Sequence, residues 1–505
     1  MARKSRTSIF VGTAVSTAIY QVVLIAAGFI VPRLIIGHYG SDVNGLITSL
    51  TQFINYFSLV EAGISGSAVV MLYAPLAKEN WGEVSKIVTA SKWFYIKAGL
   101  VFLSLVAGLA IAYPLLSSVG FFSPLEVSIL VFLLGAKGVV DFFTLSKYRV
   151  LLTADRRTWV IQIASALYQL VNVAMIASMI AMGQPVIVVY AASLVAVFAR
   201  TIILVIYTKV NYKNVDFNAE HKDVVLDQRW DVLFLQILGI VQQGAPVIIA
   251  TVILGDYALV SVFSVYLMIS NGVQQIPNFI GSGLQASFGE LMAKGEDEKL
   301  RRSYAEYETL VYIVVCVACS CAFALIGPFV NLYVGSVNDQ NYIYPMVGFL
   351  SVLNVALYHA KSPHGLLVIA AGLYRRTRWQ SLTQALILVL GALLLGWFFG
   401  MEGILAGMCL SNLYRTIDLA VFIPKYVTKT SVLSSVKRLL VNAAALIAAT
   451  LALYALPIGA TTWSEWILWA AVSVMFSTII VLIINFGANG REMRSVVKRL
   501  GLMRG

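Results

Sequence analysis

The feature that most constrains this chain is a series of apolar stretches, each roughly 20 residues long, that follow one another along the sequence. A stretch of that length crosses the hydrocarbon core of a bilayer once as an α-helix. Barrel strands are excluded, because they alternate apolar and polar residues and these stretches do not. Only 12% of the 505 residues are charged, too few to cover a soluble domain of this size. The sequence therefore predicts an all-α polytopic membrane protein with about 14 transmembrane helices, near residues 10–36, 46–72, 93–116, 125–146, 159–182, 186–208, 234–254, 260–284, 306–334, 346–370, 379–400, 403–424, 438–458 and 466–486.

The basic residues are distributed unevenly between the two sides of this predicted topology. With the N-terminus in the cytoplasm, 30 of the 36 lysines and arginines fall in cytoplasmic segments, the outer loops hold none, and the rest lie within helices. The positive-inside rule then predicts that both termini are cytoplasmic. Topology and attraction to anionic lipid headgroups account for the net charge of +12, so no nucleic-acid partner is predicted.

The sequence also contains an internal repeat. "FARTIIL" at 198–204 resembles "LYRTIDL" at 413–419, and three further weak matches lie at nearly the same offset. A common offset predicts that helices 1–6 and 7–12 are one unit used twice, in parallel orientation. The predicted domains are an N-terminal lobe (1–208), a charged cytoplasmic connector (209–233), a C-terminal lobe (234–424), and two extra helices with a cytoplasmic tail (425–505).

The sequence offers little support for a membrane enzyme or a metal centre. Three of the four cysteines, Cys316, Cys319 and Cys321, are close in sequence, but no nearby histidine or further cysteine completes a tetrahedral site, and small packing residues are the favoured interpretation. No helix carries a paired-carboxylate, Ser/His/Asp or Cys/His arrangement. No catalytic residue, metal or cofactor is predicted, and transport is favoured because ionisable residues within spans usually mark substrate or ion pathways.

Those intramembrane residues are the candidate site. Glu61 and Arg200 lie deep in their helices without an obvious local partner, and Lys361 precedes Pro363 and Gly365, which can break a helix. Lys137 and Asp141 are four residues apart and Arg415 and Asp418 three apart, so each couple can form a structural ion pair. Arg33, near the outer end of helix one, can either snorkel or face a vestibule.

A family resemblance extends over the whole chain. Stretches such as "HYGSDVNGLITSLTQFINYFSLVEAGISGSAV", "YRVLLTADRRTWV", "ASFGELMAKGEDEKLRRSYAEYETLVY" and "GPFVNLYVGSVNDQNYIYP" resemble bacterial polysaccharide exporters, or Wzx-type flippases, of the multidrug/oligosaccharidyl-lipid/polysaccharide transporter superfamily. The resemblance implies two six-helix lobes around a V-shaped cavity, with two extra helices alongside. It implies movement of a lipid-diphosphate-linked oligosaccharide from the inner to the outer leaflet of the bacterial plasma membrane by alternating access, for capsule or exopolysaccharide assembly.

The resemblance also suggests roles for the candidate residues. The anion-binding positions would be Arg33, Arg200, Lys361 and Arg415, and Glu61 lies in an E-A-G stretch similar to one in lipid-linked peptidoglycan flippases. Helices seven and eleven, "VQQGAPVII" and "SLTQALI", lack the acidic residues that many relatives carry, so the C-terminal lobe is short of carboxylates for a cation site.

The expected partners are the lipid-linked substrate, membrane lipids and a coupling proton or sodium ion, and the polysaccharide polymerase machinery could also associate. The alternatives are a drug/cation antiporter of the same superfamily, which would need acidic cavity residues, and a membrane-embedded polysaccharide polymerase or ligase, which usually carries a large outer loop.

Overall fold

The computed structural model describes residues 6–61, 64–117, 119–221, 224, 230–281, 284–335, 337 and 339–499. Within these residues every regular element is helical, and the chain divides into two compact units, 1–244 and 245–505. The predicted class, an all-α polytopic membrane protein, is confirmed. The boundary between the units falls inside a helix, at Gly244, and the predicted domain boundaries stay predictions.

Among its described residues, unit 1 contains nine complete helices and the first part of a tenth. A short 3₁₀ segment, Ser58–Glu61, follows the second helix, and a π-helical turn, Asp141–Leu145, joins the fifth helix to the sixth without a break. The helices are α1 (Arg6–Tyr39), α2 (Ser41–Phe57), α3 (Ile64–Ala77), α4 (Trp81–Leu116), α5 (Pro124–Val140), α6 (Ser146–Ala154), α7 (Thr158–Ala181), α8 (Val186–Ser193), α9 (Val195–Asn211) and α10 (Trp230–Leu254).

The part of unit 2 that the structure describes contains the rest of α10 and eight further helices. They are α11 (Tyr257–Gly281), α12 (Leu284–Ala293), α13 (Asp297–Val334), α14 (Pro345–Ala370), α15 (Tyr374–Ile423), α16 (Val432–Tyr454), α17 (Trp463–Ala488) and α18 (Gly490–Arg499). The last three helices lie outside the predicted repeat and pack on α13. Small buried side chains, including Cys316, Ala445 and Ala449, allow this close packing, and the Ser320 and Ser477 hydroxyls are hydrogen-bonded at 2.9 Å.

The described helices are long and apolar enough for a multi-pass membrane protein. Eleven helical segments qualify as spans, or twelve if the bent pair formed by α2 with its 3₁₀ turn and α3 counts as one. One of the eleven contains α15, whose 50 residues would extend about 75 Å as one straight helix, more than twice the thickness of the bilayer core. The exact number of fourteen crossings stays a prediction.

The long helix α15 reverses at Gly400, which has a left-handed backbone (φ 58°) that favours glycine. Beyond this turn the two arms approach very closely. A Cβ on Gly407 would meet the backbone of Gly391 and Ala392, and one on Gly403 would meet the backbone of Leu395. Glycine is therefore required at Gly403 and Gly407 for the two arms to pack.

Several predicted helices have different bounds in the structure. The predicted helix 46–72 is interrupted at Ser58–Glu61, where the Ser58 hydroxyl donates to the Asn55 carbonyl at 2.6 Å and competes with regular helix. The predicted start at 306 is too late, since α13 begins at Asp297 with acidic residues in its first turn.

Pro363 does not break α14, although the sequence allows a break there. Proline lacks the N–H that would bond the carbonyl of His359, and the Ser362 hydroxyl donates to that carbonyl instead, at 3.1 Å. The helix continues because a side chain supplies the missing donor.

The start of the predicted connector is fixed to unit 1. Tyr212 donates a hydrogen bond to Asp155, and Lys92 donates to Asn218 at 2.6 Å. Burial, with the Asp155 hydrogen bond adding to it, raises the pKa of the Tyr212 hydroxyl. Residues 222–223 and 225–229 of the connector lie outside the described residues.

Candidate functional site

A polar cavity of about 520 Å³ lies within unit 1. Segments from α1 to α9 contribute to its wall, and its charged lining residues are Glu61, Lys137, Asp141 and Arg149. Amide and phenol side chains add hydrogen-bonding capacity, and they belong to Asn55, Gln169, Asn172, Tyr168 and Tyr190. A concave site that is mostly apolar, with a few convergent polar groups, is the usual form of a ligand site.

The π-helical turn places Asp141 beside Arg200. A single π turn inside an α-helix often marks a functional site. The Asp141 carboxylate forms an ion pair and hydrogen bond with the Arg200 guanidinium of α9, and both side chains are largely buried. The two residues are 59 positions apart in sequence, so the pair was not visible from local spacing.

Lys137 does not form the expected ion pair with Asp141 among the described residues. Asp141 pairs with Arg200 instead, and the Lys137 ammonium lies 4.6 Å from the centre of the Tyr168 ring. The Arg200 guanidinium also lies over this ring, at 4.9 Å. The planar guanidinium is less strongly hydrated than an ammonium and suits both a carboxylate and an aromatic face, which accounts for the exchange of partners.

Arg200 has no obvious partner near it in the sequence, but the fold supplies a charged partner in Asp141. Arg200 is also not among the residues that line the cavity, and it stands behind Asp141. Its Nε is buried and has no hydrogen-bond partner among the described residues. One donor of the guanidinium is thus unused, and a role of Arg200 in binding an anion stays a prediction.

Glu61 lines the cavity at the end of the 3₁₀ segment, where the helical interruption exposes its carboxylate to the cavity. Arg149 of α6 is close enough to act electrostatically on Glu61 and lines the same cavity. The sequence analysis missed Arg149, because the positive-inside count assigned it to a cytoplasmic segment. The helical run from Pro124 to Ala154 continues past the predicted end at 146 and carries Arg149 into the cavity wall.

Arg33 is half-buried in α1 and is not a lining residue, although Val31 and Pro32 just before it are. Arg33 is therefore next to the cavity wall but not part of it, and its role as an anion ligand stays a prediction.

The remaining candidates belong to unit 2. The Arg415 guanidinium, in a residue that is 6% exposed, bonds the Asp418 carboxylate at 2.5 Å and the Ser381 hydroxyl at 3.2 Å. Lys361 is 9% exposed and its ammonium lies 5.0 Å from the centre of the Tyr358 ring. Each unit thus has an arginine of the predicted repeat paired with an aspartate. In unit 1 the aspartate lies outside the helix that carries Arg200, whereas in unit 2 it lies in the same helix as Arg415.

The charges that line the unit 1 cavity balance, and Arg200 behind Asp141 adds one positive charge. Lys137, Arg149 and Arg200 supply three positive charges against the two carboxylates of Glu61 and Asp141. Among the described residues Arg200 alone of these cations forms a direct ion pair, so Lys137 and Arg149 remain available to a ligand. The arrangement can hold an anion and can also exchange a cation at Glu61.

Comparisons with solved structures show the fold. A multidrug resistance MATE family transporter of the MOP superfamily, in an inward-facing conformation, matches with a TM-score of 0.63 and 11% identity over 82% of this chain and 98% of its own. The lipid II flippase MurJ, in an inward closed conformation, matches with a TM-score of 0.61 and 11% identity over 93% of this chain and 98% of its own. A MOP superfamily transporter from Pyrococcus furiosus matches with a TM-score of 0.58 and 11% identity over 84% and 96%.

No family model matches the chain, and no curated protein sequence matches it. The structural likenesses, at these identities, establish that the chain is a multi-pass membrane protein with the fold of MOP superfamily transporters. Multidrug transporters and a lipid flippase share that fold.

Proposed function

We propose that the protein is a flippase that moves a lipid-diphosphate-linked oligosaccharide repeat unit from the inner to the outer leaflet of the bacterial plasma membrane. It works by alternating access and serves capsule or exopolysaccharide assembly. The observation that carries the proposal is the presence of two cations in the wall of the unit 1 cavity, Lys137 and Arg149, that are available to an anion because Arg200 pairs with Asp141. A diphosphate is a dianion that guanidinium and ammonium groups bind well, and the phenols and amides of the wall suit sugar hydroxyls.

The proposal assigns Lys137 and Arg149 to the diphosphate and sugar acids, and keeps Arg200, Arg415, Lys361 and Arg33 as further anion-binding positions. Arg200 contributes when a phosphate oxygen takes its unused Nε–H or displaces Asp141. Both termini and the connector are cytoplasmic under this proposal, and association with a polysaccharide polymerase is compatible with it.

A drug/cation antiporter is the second candidate, and the observation in its favour is the presence of two carboxylates, Glu61 and Asp141, in the cavity wall. The ion pair between Asp141 and Arg200 weakens it, since one of the two carboxylates is already neutralised.

Transport in proteoliposomes separates the two candidates. Purified full-length protein is expected to move a fluorescent lipid diphosphate carrying a short glycan across the bilayer, and not to accumulate a lipophilic cationic dye. The same vesicles receive both probes, and protein-free vesicles give the background. Dye accumulation without lipid movement would overturn the flippase proposal in favour of the antiporter.

Glu61→Gln tests the coupling role. The change keeps the shape of the side chain and removes its charge, so a proton or cation can no longer bind there in exchange for movement of the protein. Transport is expected to fall about 5- to 150-fold, the range that a typical coupling free energy of about 1–3 kcal/mol gives. Its dependence on pH or sodium is expected to flatten, with the amount of protein in the membrane unchanged.

The matched control is Glu79→Gln, which removes an exposed carboxylate of unit 1 that does not line the cavity. Normal transport by Glu61→Gln at every pH and sodium concentration would exclude the coupling role while leaving the flippase proposal intact.

A further inference from the structure

A second cluster of ionisable side chains lies in unit 2 and is largely buried. It centres on Glu308 of α13, which is 1% exposed. Arg438 of α16 donates to Glu308 Oε2 at 2.6 Å, and His364 of α14 has its Nε2 3.6 Å from Glu308 Oε1. The sequence analysis missed this carboxylate, because a helix predicted to begin at 306 puts Glu308 at the membrane surface. The actual start at Asp297 places it three turns inside α13.

Two polar atoms of the cluster have no partner among the described residues. They are the Tyr304 hydroxyl and His364 Nδ1, and both residues are more than nine-tenths buried. Both also line a cavity of about 20 Å³, together with Glu308 and Arg438. A cavity of that size holds one water, and buried polar groups without a partner are the usual sites of buried water. The cluster therefore has room and hydrogen-bonding capacity for a water beside the His364 ring.

The ring of His364 has a nitrogen available for a proton. Its Nε2 lies 2.9 Å from the Ser435 hydroxyl of α16. In the tautomer whose Nε2–H donates to Ser435, the lone pair of Nδ1 faces the site of the water. Uptake of one proton from the solvent, relayed by that water, adds N–H at Nδ1 and turns the ring into a cation, while the water stays neutral.

The charges of the cluster balance only while His364 is neutral. Glu308 and Arg438 then cancel, whereas a protonated His364 makes two buried cations for one carboxylate. Of the remaining groups that face the three side chains, Arg301 of α13 adds one positive charge, and Glu492 of α18, which acts on Glu308 at longer range, adds one negative charge. The neutral groups are Tyr304 and Tyr312 of α13 and the hydroxyls of Thr428, Thr430 and Ser435. Like charges in a buried site repel strongly, so the pair of α13 with α16 weakens.

We propose that Glu308, His364 and Arg438 form a proton-binding site in unit 2, at which a proton on His364 competes with Arg438 for Glu308 and loosens α16 from α13. This site is separate from the cavity of unit 1, and it holds whatever the transported substrate is. Glu308 gives unit 2 a buried carboxylate, whereas the predicted helices seven and eleven lack the acidic residues that the family resemblance implies. Because α16 lies outside the predicted repeat, the proton acts on the added helices and not on the duplicated core.

Cys316 offers a native reporter of this contact. Its thiol, on α13, lies 3.2 Å from the carbonyl oxygen of Asn442, which follows Arg438 by one turn on α16. In full-length protein with Cys319, Cys321 and Cys409 replaced by alanine, the rate of Cys316 labelling by a small membrane-permeant thiol reagent measures how often α16 separates from α13. Rates are compared between variants at the same pH, so that changes in thiol reactivity cancel.

The quantity measured is the Cys316 labelling rate of the protein with its cluster intact, divided by the rate of the His364→Gln variant at the same pH. This ratio is expected to rise at least about fivefold between about pH 8 and about pH 5. The matched control is His359→Gln, which removes a buried histidine of the same helix that bonds the Gln274 carbonyl outside the cluster. Its labelling is expected to keep the pH dependence. Equal pH dependence in the unchanged protein and His364→Gln, or its loss in His359→Gln as well, would overturn the proposal.

A second variant keeps the test decisive if His364→Gln does not fold. Glu308→Gln removes the shared anion and is expected to label rapidly at both ends of the pH range. Slow labelling of Glu308→Gln at about pH 8, at the rate of the unchanged protein, would contradict the proposed site. Neither labelling result depends on a transport assay, so failure here and failure of the flippase proposal are distinguishable.

Discussion

Replacing Arg149 by alanine is expected to reduce movement of the lipid-linked substrate by roughly 10- to 150-fold, since a hydrogen bond to a charged group contributes about 1.5–3 kcal/mol. Arg149 lines the cavity of unit 1, is exposed, and forms no direct ion pair among the described residues, so its guanidinium can bind two diphosphate oxygens at once. Arg149→Lys keeps the charge and loses the bidentate geometry, and its transport is expected to be intermediate. Arg149→Ala combined with Lys137→Ala removes both available cations and is expected to abolish transport.

The matched control for Arg149 is Lys147→Ala, two residues earlier in the same helix. Lys147 is half-buried, lies over the Tyr148 and Phe217 rings, and is not a lining residue. Protein level in the membrane is measured for each variant alongside transport in the same cells. Transport by Arg149→Ala that equals transport by Lys147→Ala would show that the cavity does not bind the anion through this residue.

Arg200→Ala is expected to have the second large effect, and on stability as well as transport. The change leaves the Asp141 carboxylate largely buried without its cation and removes the contact of the guanidinium with Tyr168. Breaking a buried ion pair from one side costs on the order of 3 kcal/mol, and the partial exposure of both groups lowers this figure somewhat. Thermal unfolding in detergent is expected to shift down by several degrees, with less protein in the membrane.

A double variant separates the structural role of Arg200 from its role toward the substrate. Arg200→Gln with Asp141→Asn removes both charges, so no uncompensated carboxylate remains and most of the stability is expected to return. Transport per molecule is expected to stay low, because the donor behind the cavity wall is lost. Full recovery of transport in the double variant would assign Arg200 to stability alone.

Asp418→Asn, in unit 2, is expected to reduce transport less than either single change at the pair of Arg200 with Asp141.

The class of fold could be predicted because it depends on features that single stretches carry. Apolar length alone marks the membrane helices, and the pair of Arg415 with Asp418 lies within one turn of one helix, where spacing is sufficient. Helix breaks and helix ends were harder to predict, because single contacts can override the usual effect of a residue type. Pro363 sits inside an unbroken helix because of one hydroxyl, and α13 begins earlier than its charged sequence indicates.

The candidate site was only partly predictable, because its contacts join distant parts of the chain. Asp141 and Arg200 meet only after α5 and α9 have packed, and no local pattern distinguishes Arg200 from Lys137 as the partner. Arg149 and Glu308 were missed for a related reason. Basic and acidic residues near the predicted end of a span look solvated in the sequence, whereas a helix that is a few residues longer at that end carries them inside.

The π turn at Asp141–Leu145 sets the angular phase of the cavity charges. In an uninterrupted α-helix each residue turns by about 100°, so Lys137 and Arg149, twelve positions apart, would point about 120° away from each other. A π turn takes up one extra residue without adding to the rotation, so the effective separation is eleven positions and the difference in direction falls to about 20°. Asp141 follows the same rule and lies about 20° from Arg149. The three charges share one face of a single helix because one surplus residue is taken up in the π turn. The same residues wound as an uninterrupted α-helix would turn Arg149 out of the cavity without changing any charged side chain.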